Sequence, residues 1–143
     1  MPTDEQSLLV EVSVLAPVPF SVRQIRSITL CFLKELKVPG ASLSIVFVKD
    51  TAMRRLNRSS LGHDYVTDII TFDLSECKGV FEGELVISPA EARRNARLCG
   101  EPLPREICRY IAHGLLHLKG YDDATDVQRT RMRKMEDRLL LLI

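Results

Sequence analysis

Between Leu8 and Leu15, apolar side chains fall on every second position (Leu8, Val10, Val12, Val14) against Glu11 and Ser13, which predicts a half-buried strand. Pro17 and Pro19 end it. Ser21 then caps a helix to about Lys37, with Val22, Ile25, Ile28, Thr29, Phe32, Leu33 and Leu36 forming one stripe at helical spacing. Pro39-Gly40 stops that helix, and Ser42 to Val48 reads as a second, more deeply buried strand. Asp50 or Thr51 opens a short helix through about Asn57, where Asn57 ends it. Residues 58–66 lack periodicity and are expected to be a loop. Strands follow at Thr67 to Phe72 and Glu84 to Ser88.

Ser88-Pro89-Ala90-Glu91 combines an N-cap serine, a proline at the first helical position and a glutamate three residues after the cap, so a helix runs from there to about Leu98 and stops near Gly100. Leu103 or Pro104 begins the next helix and Gly120 ends it. Thr125-Asp126-Val127-Gln128 caps the last, which continues to the C-terminus. The order β-α-β-α-β-β-α-α-α implies an α+β (mixed α/β) fold: a single domain over 1–143 with a small, mixed four-stranded sheet covered by helices.

Composition narrows the class without naming a function. With 45% hydrophobic and 27% charged residues, the chain is an ordinary globular protein, and no apolar run approaches the roughly 20 residues of a membrane span. The polar, acidic start, Met1 to Ser7, is not a secretory signal, so a cytoplasmic location is expected. Cys31, Cys77, Cys99 and Cys108 show no CxxC spacing. Cys31, Cys99 and Cys108 sit in apolar helical patterns, so reduced, mostly packed thiols are expected rather than disulfides or a cysteine-zinc site. Net charge is only +1, so bulk electrostatics do not announce nucleic-acid binding. Arginine clusters at Arg54/Arg55/Arg58, Arg93/Arg94/Arg97 and Arg129/Arg131/Arg133 are each read as solvated helix faces, although two could join into a phosphate-binding patch.

The chemistry concentrates at residues 113–123, HGLLHLKGYDD. His113 and His117, four residues apart, lie one above the other on one helix face. Ile107, Tyr110, Ile111, Leu115, Leu116 and Leu118 anchor that helix in the core. Gly120 allows the chain to reverse, which brings Asp122 and Asp123 within reach of His117. Two imidazoles and a carboxylate with an open fourth position suit a catalytic zinc ion, with either aspartate as the third ligand. Tyr121 is expected to pack the turn, while Asp68 and Thr67 could equally brace the loop-to-strand junction or serve the site.

The run at 113–123 closely resembles the H-G-x-L-H-L-x-G-Y-D-H signature of the YbeY-type endoribonucleases. Leu56-Asn57, Thr67-Asp68-Ile69-Ile70-Thr71-Phe72 and Gly83-Glu84-Leu85-Val86-Ile87 resemble that family's L-N, T-D-V-L-S-F and G-D-I-x-I elements. The resemblance implies a zinc-dependent, single-strand-specific RNA hydrolase acting in ribosomal RNA maturation, at the 3′ end of 16S rRNA, and in ribosome quality control. Its partners would be single-stranded or ribosomal RNA and the small ribosomal subunit, with no membrane and no small-molecule cofactor. Register with the family makes His113, His117 and Asp123 the metal ligands and catalytic centre.

Two departures bear on the chemistry. Asp123 stands where the family usually has a third histidine; a carboxylate ligand cancels part of the ion's charge and would leave an activated water less acidic. Ser60-Leu61-Gly62 replaces the usual Y-R-G, so an arginine expected near the reacting phosphate is missing, and Arg55, Arg58 or His63 would have to supply the charge. Two rivals follow from the same residues. One is a non-catalytic ribosome-associated factor with a structural zinc. The other is a zinc metallopeptidase, which would need a glutamate directly after the first histidine, where Gly114 stands.

Overall fold

The computed structural model describes residues 8–62, 67–76 and 81–143. Among the described residues, four strands and five helices follow in the order β1 (Leu8–Val14), α1 (Val22–Glu35), β2 (Ala41–Phe47), α2 (Asp50–Leu61), β3 (Ile69–Asp73), β4 (Phe81–Ile87), α3 (Pro89–Cys99), α4 (Leu103–Lys119) and α5 (Asp126–Leu140). The expected mixed sheet forms in the order β1-β2-β4-β3. β1 and β4 flank β2 in parallel (Val10 opposite Leu43, Ile45 opposite Leu85), and β3 runs antiparallel to β4 (Ile70 opposite Val86).

Alternation along the central strands sends side chains to two faces. Leu43, Ile45, Phe47, Leu85 and Ile87 join Ile25, Phe32 and Leu33 of α1 with Ile107, Ile111, Leu115 and Leu116 of α4 in the main core. Met53 of α2 covers the other face with Val48, Ile70 and Val86. α4 is the centre of the assembly, with ten of its residues buried, including Glu106 to Ala112 without a break. The capping signals act as expected. Ser21 and Thr125 form reciprocal capping boxes with Gln24 and Gln128, and Ser88 accepts from the Glu91 N–H with Pro89 at the first turn.

Four expectations need correction. α2 does not stop at Asn57, which is buried mid-helix; it continues to Leu61, and Gly62 ends it in the left-handed conformation (φ +73°). Its last turn shows no apolar period because Arg58, Ser59, Ser60 and Leu61 all face solvent. β4 begins at Phe81, three residues before Glu84, because pairing with β2 extends through Phe81 opposite Ala41. Val22 is exposed and lies outside the core stripe. Cys99 is likewise exposed, whereas Cys108 is buried and its thiol pushed up to about 11 by that burial, which keeps it protonated and unreactive. Cys31 is half-buried; Cys77 and His63 lie outside the described residues. No helix among the described residues is long and apolar enough to cross a membrane.

Candidate metal centre

α4 reaches the sheet closely because one of its residues has no side chain. A Cβ on Gly114 would stand 2.6 Å from Leu85 Cδ2 of β4, and one on Gly83 would stand 2.8 Å from both terminal carbons of Leu118. The two glycines let helix and strand meet with Leu85 and Leu118 filling the gap. This contact fixes the rotation of α4, so that His113 and His117 leave the core on one side, each about a quarter exposed.

At the end of α4, Gly120 turns left-handed (φ +110°), and the Tyr121 N–H donates to the Leu116 carbonyl (2.9 Å), the reversal expected from the sequence. Tyr121 packs against the core from this turn, as expected. Arg129 of α5 holds the returning loop, donating to the carbonyls of Asp123 (3.2 Å) and Ala124 (3.1 Å) while pairing with Asp126. The loop therefore presents Asp123 to the histidines, whereas Asp122 lines a separate depression with Lys119 and Arg131.

The three side chains meet in a triangle. His113 Nε2 and His117 Nε2 are 3.0 Å apart, and Asp123 Oδ2 stands 3.4 Å from each. Ligands at about 2.0–2.1 Å in a tetrahedral zinc sphere are spaced roughly 3.3 Å from one another. The triangle matches that spacing without rearrangement, and the Asp123 side chain, 44% exposed, leaves the fourth direction open to solvent.

One residue needed for this arrangement was not anticipated. The Glu136 Oε2 of α5 lies 2.6 Å from His113 Nδ1, which places the proton on Nδ1 and turns the Nε2 lone pair to the centre. Burial opposes a charge on this ring, yet Glu136, with Asp123 and Asp68 behind it, raises His113 above the ordinary histidine value. Glu136 is itself buried and held by Arg109 (3.0 Å), whose other nitrogen binds Asp137 (2.8 Å). The signal was legible: Glu136 sits on the α5 stripe made by Met132, Leu139 and Leu140, where a charge requires a partner.

Two grooves open on the centre. One, of about 520 Å³, runs between α3, α4 and α5 past Glu106, Arg109, Arg129, Arg133 and Tyr110; the other, of about 390 Å³, lies along β3 past Thr71, Asp73 and Leu61. Asp68, Ile69, His113 and Asp123 line both, so the grooves meet at the triangle. Asp68 faces this junction and also accepts from the Ile69 N–H (2.8 Å), so it both braces the strand and borders the site. Leu61 does stand beside the centre, 53% exposed, while Arg55 and Arg58 are not among the groove-lining residues. Among the described residues, the arginines that line the grooves are Arg109 of α4 and Arg129 and Arg133 of α5. Arg131, grouped with Arg129 and Arg133 by sequence, faces away, and Arg94 is spent on Asp50 and Glu91.

A family model described as Endoribonuclease YbeY matches residues 18–143. Curated proteins called endoribonuclease YbeY are similar to the chain. One from Cytophaga hutchinsonii is 44% identical over 109 residues, 76% of each chain. One from Chlorobium phaeovibrioides is 44% identical over 104 residues, 73% of this chain and 70% of its own. A third, from Phocaeicola vulgatus, is 37% identical over 119 residues, 83% of each. The solution structure of TM1509 from Thermotoga maritima covers 92% of this chain and 87% of that one with a TM-score of 0.67; at 20% identity it speaks for the fold alone.

Proposed function

The chain belongs to the YbeY endoribonuclease family, and on that premise we propose that it hydrolyses single-stranded RNA with a divalent cation, zinc by the donor set, held by His113, His117 and Asp123. The observation that carries this is the triangle of two imidazole nitrogens and one carboxylate oxygen at ligand spacing, open on one side. A cation bound there supplies Lewis acidity toward water and a phosphoryl oxygen. Glu136 keeps the His113 lone pair directed at the centre, and Arg109 holds Glu136 in place. Arg129 fixes the loop that carries Asp123, so the third donor does not drift when an RNA strand enters. Arg129 and Arg133 give the α5-side groove the positive charge that attracts an RNA strand from a distance. Asp68, across the junction, is placed to orient a water or a ribose hydroxyl.

Within this function the substrate is ribosomal RNA, at the 3′ end of the small-subunit species, and the enzyme works in the cytoplasm against the small ribosomal subunit. A second possibility has one observation in its favour: Leu61 puts an apolar side chain in the groove beside the centre, as in a factor that binds the ribosome without cleaving. A peptidase role has the opposite standing, because any side chain at position 114 would run into Leu85, leaving no room for a general base there.

The deciding measurement is cleavage of a single-stranded RNA oligonucleotide by wild type, His113→Ala and His117→Ala, with and without EDTA. Cleavage lost in both variants and on chelation is expected; cleavage that survives both substitutions would overturn the assignment. Binding to small subunits without any cleavage would favour the non-catalytic factor.

A further inference from the structure

The α5-side groove contains a carboxylate that nothing in the fold explains. Glu106 is 7% exposed, two helical turns before His113 on the same face of α4, and it lines the groove. Among the described residues its carboxylate makes no hydrogen bond and no ion pair, although every other buried charged side chain in this region is matched. Burial pushes its carboxyl above the usual range, offset in part by Arg109 and Arg133. Among the described residues no fully buried side-chain oxygen lacks a partner, so the Glu106 oxygens open on the groove, where they can accept from a ligand.

The surroundings define the ligand. Arg133, lining the same groove, also has no ion-pair partner among the described residues. Leu98 and Met132 add apolar surface, and Asn95 fixes the Tyr110 hydroxyl by donating to it (2.7 Å). Apolar surface with a carboxylate and a guanidinium beside it suits a nucleobase. A carboxylate offers two acceptor oxygens and no donor, so it is satisfied by two donors side by side. Guanine presents that pair, N1–H with the 2-amino group, and also places O6 and N7 as acceptors for an arginine. Adenine and cytosine offer a single amino group next to an acceptor, and uracil flanks its N3–H with two carbonyls, so each would meet repulsion at Glu106. Seven residues of α4 separate Glu106 from His113, about 10 Å, which suits a base on a nucleotide next to the phosphate at the centre.

We propose that Glu106 and Arg133 form a guanine subsite in the α5-side groove, Glu106 accepting from N1–H and the 2-amino group and Arg133 donating to O6 or N7. This rests on the RNA-hydrolase function above and makes the enzyme prefer sites with guanine beside the broken bond.

The test is separate from catalysis. Binding of guanosine, adenosine, cytidine and uridine 5′-monophosphates to the metal-loaded wild type, measured by calorimetry, should favour the guanosine nucleotide by about tenfold or more. Glu106→Gln, which keeps the side-chain volume, should abolish that preference by weakening guanosine binding and relieving the repulsion met by the other three. Single-stranded oligonucleotides differing at one position should show the same ranking in their cleavage rates. Equal binding of all four nucleotides by wild type, or a guanine preference that persists in Glu106→Gln, overturns the subsite. A guanine preference with no cleavage of any RNA leaves the subsite standing and removes the nuclease function, whereas cleavage indifferent to sequence does the reverse.

Discussion

Glu136 and Glu106 border the same groove, 5% and 7% exposed, yet the fold treats them in opposite ways. At the metal end, Glu136 receives Arg109 on one oxygen and His113 Nδ1 on the other. Two turns along α4, Glu106 receives no hydrogen bond or ion pair among the described residues, only the attraction of Arg109 and Arg133 at a distance. The first carboxylate is consumed in orienting His113, so its value is positional. The second retains its full accepting capacity at a cost to stability, as binding groups commonly do. Burial alone therefore does not distinguish a structural acid from a recognition acid; the state of its partners does.

The largest effect should come from breaking the metal end directly. His117→Ala removes one corner of the triangle, and both bound metal, by elemental analysis, and RNA cleavage should fall by more than the roughly 10–100-fold typical when an outer partner of a ligand is lost. Retention of stoichiometric metal in this variant would break the account of that end.

Glu136→Gln should come next. It frees the His113 tautomer and weakens the hold on Arg109, so metal affinity should drop roughly 10–100-fold. Folding stability should fall by about 2 kcal/mol, as for a lost charge-assisted hydrogen bond. Zinc titration and denaturant unfolding measure the two, and an effect no larger than that of Glu106→Gln would erase the contrast between the glutamates.

Leu61→Arg sharpens the contrast from the β3 side, where no described residue lining the groove is basic apart from the two histidines. One added phosphate contact should steepen the salt dependence of RNA binding by about one unit of log–log slope. Fluorescence anisotropy across a salt series reads this, and an unchanged slope would mean that RNA does not pass Leu61.

The smallest effect concerns stability and has a definite sign. Because the Glu106 carboxyl is raised in the folded protein, folding is favoured when it is protonated and opposed once it is ionised. Glu106→Gln should therefore raise Tm slightly at neutral pH. The gain should shrink as pH falls through the folded value and vanish below the ordinary glutamate range, where both states are protonated. Thermal unfolding at several pH values checks it, and a loss of stability at pH 7 would show that the acid is matched after all.

Much of this was written locally in the chain. Ser21, Ser88, Thr125 and Gly120 specify helix ends through hydrogen bonds to residues three or four positions away, and those ends formed where expected. His113 and His117 share a face by helical period alone, and the left-handed turn at Gly120 brings an aspartate back within a few residues. The last turn of α2 was missed because a solvated turn carries no apolar period to detect. Tertiary packing decided the rest. Asp123 rather than Asp122 faces the histidines because Arg129, on a different helix, holds the loop. Glu136 and Arg109 lie 27 positions apart and acquire a common role only when α5 docks on α4. Local hydrogen-bond and period rules act within a turn of helix and can be read along the chain. Which buried charges meet depends on how helices dock, and that is fixed by side-chain shape and volume summed over the whole core, as where Gly114 admits Leu85.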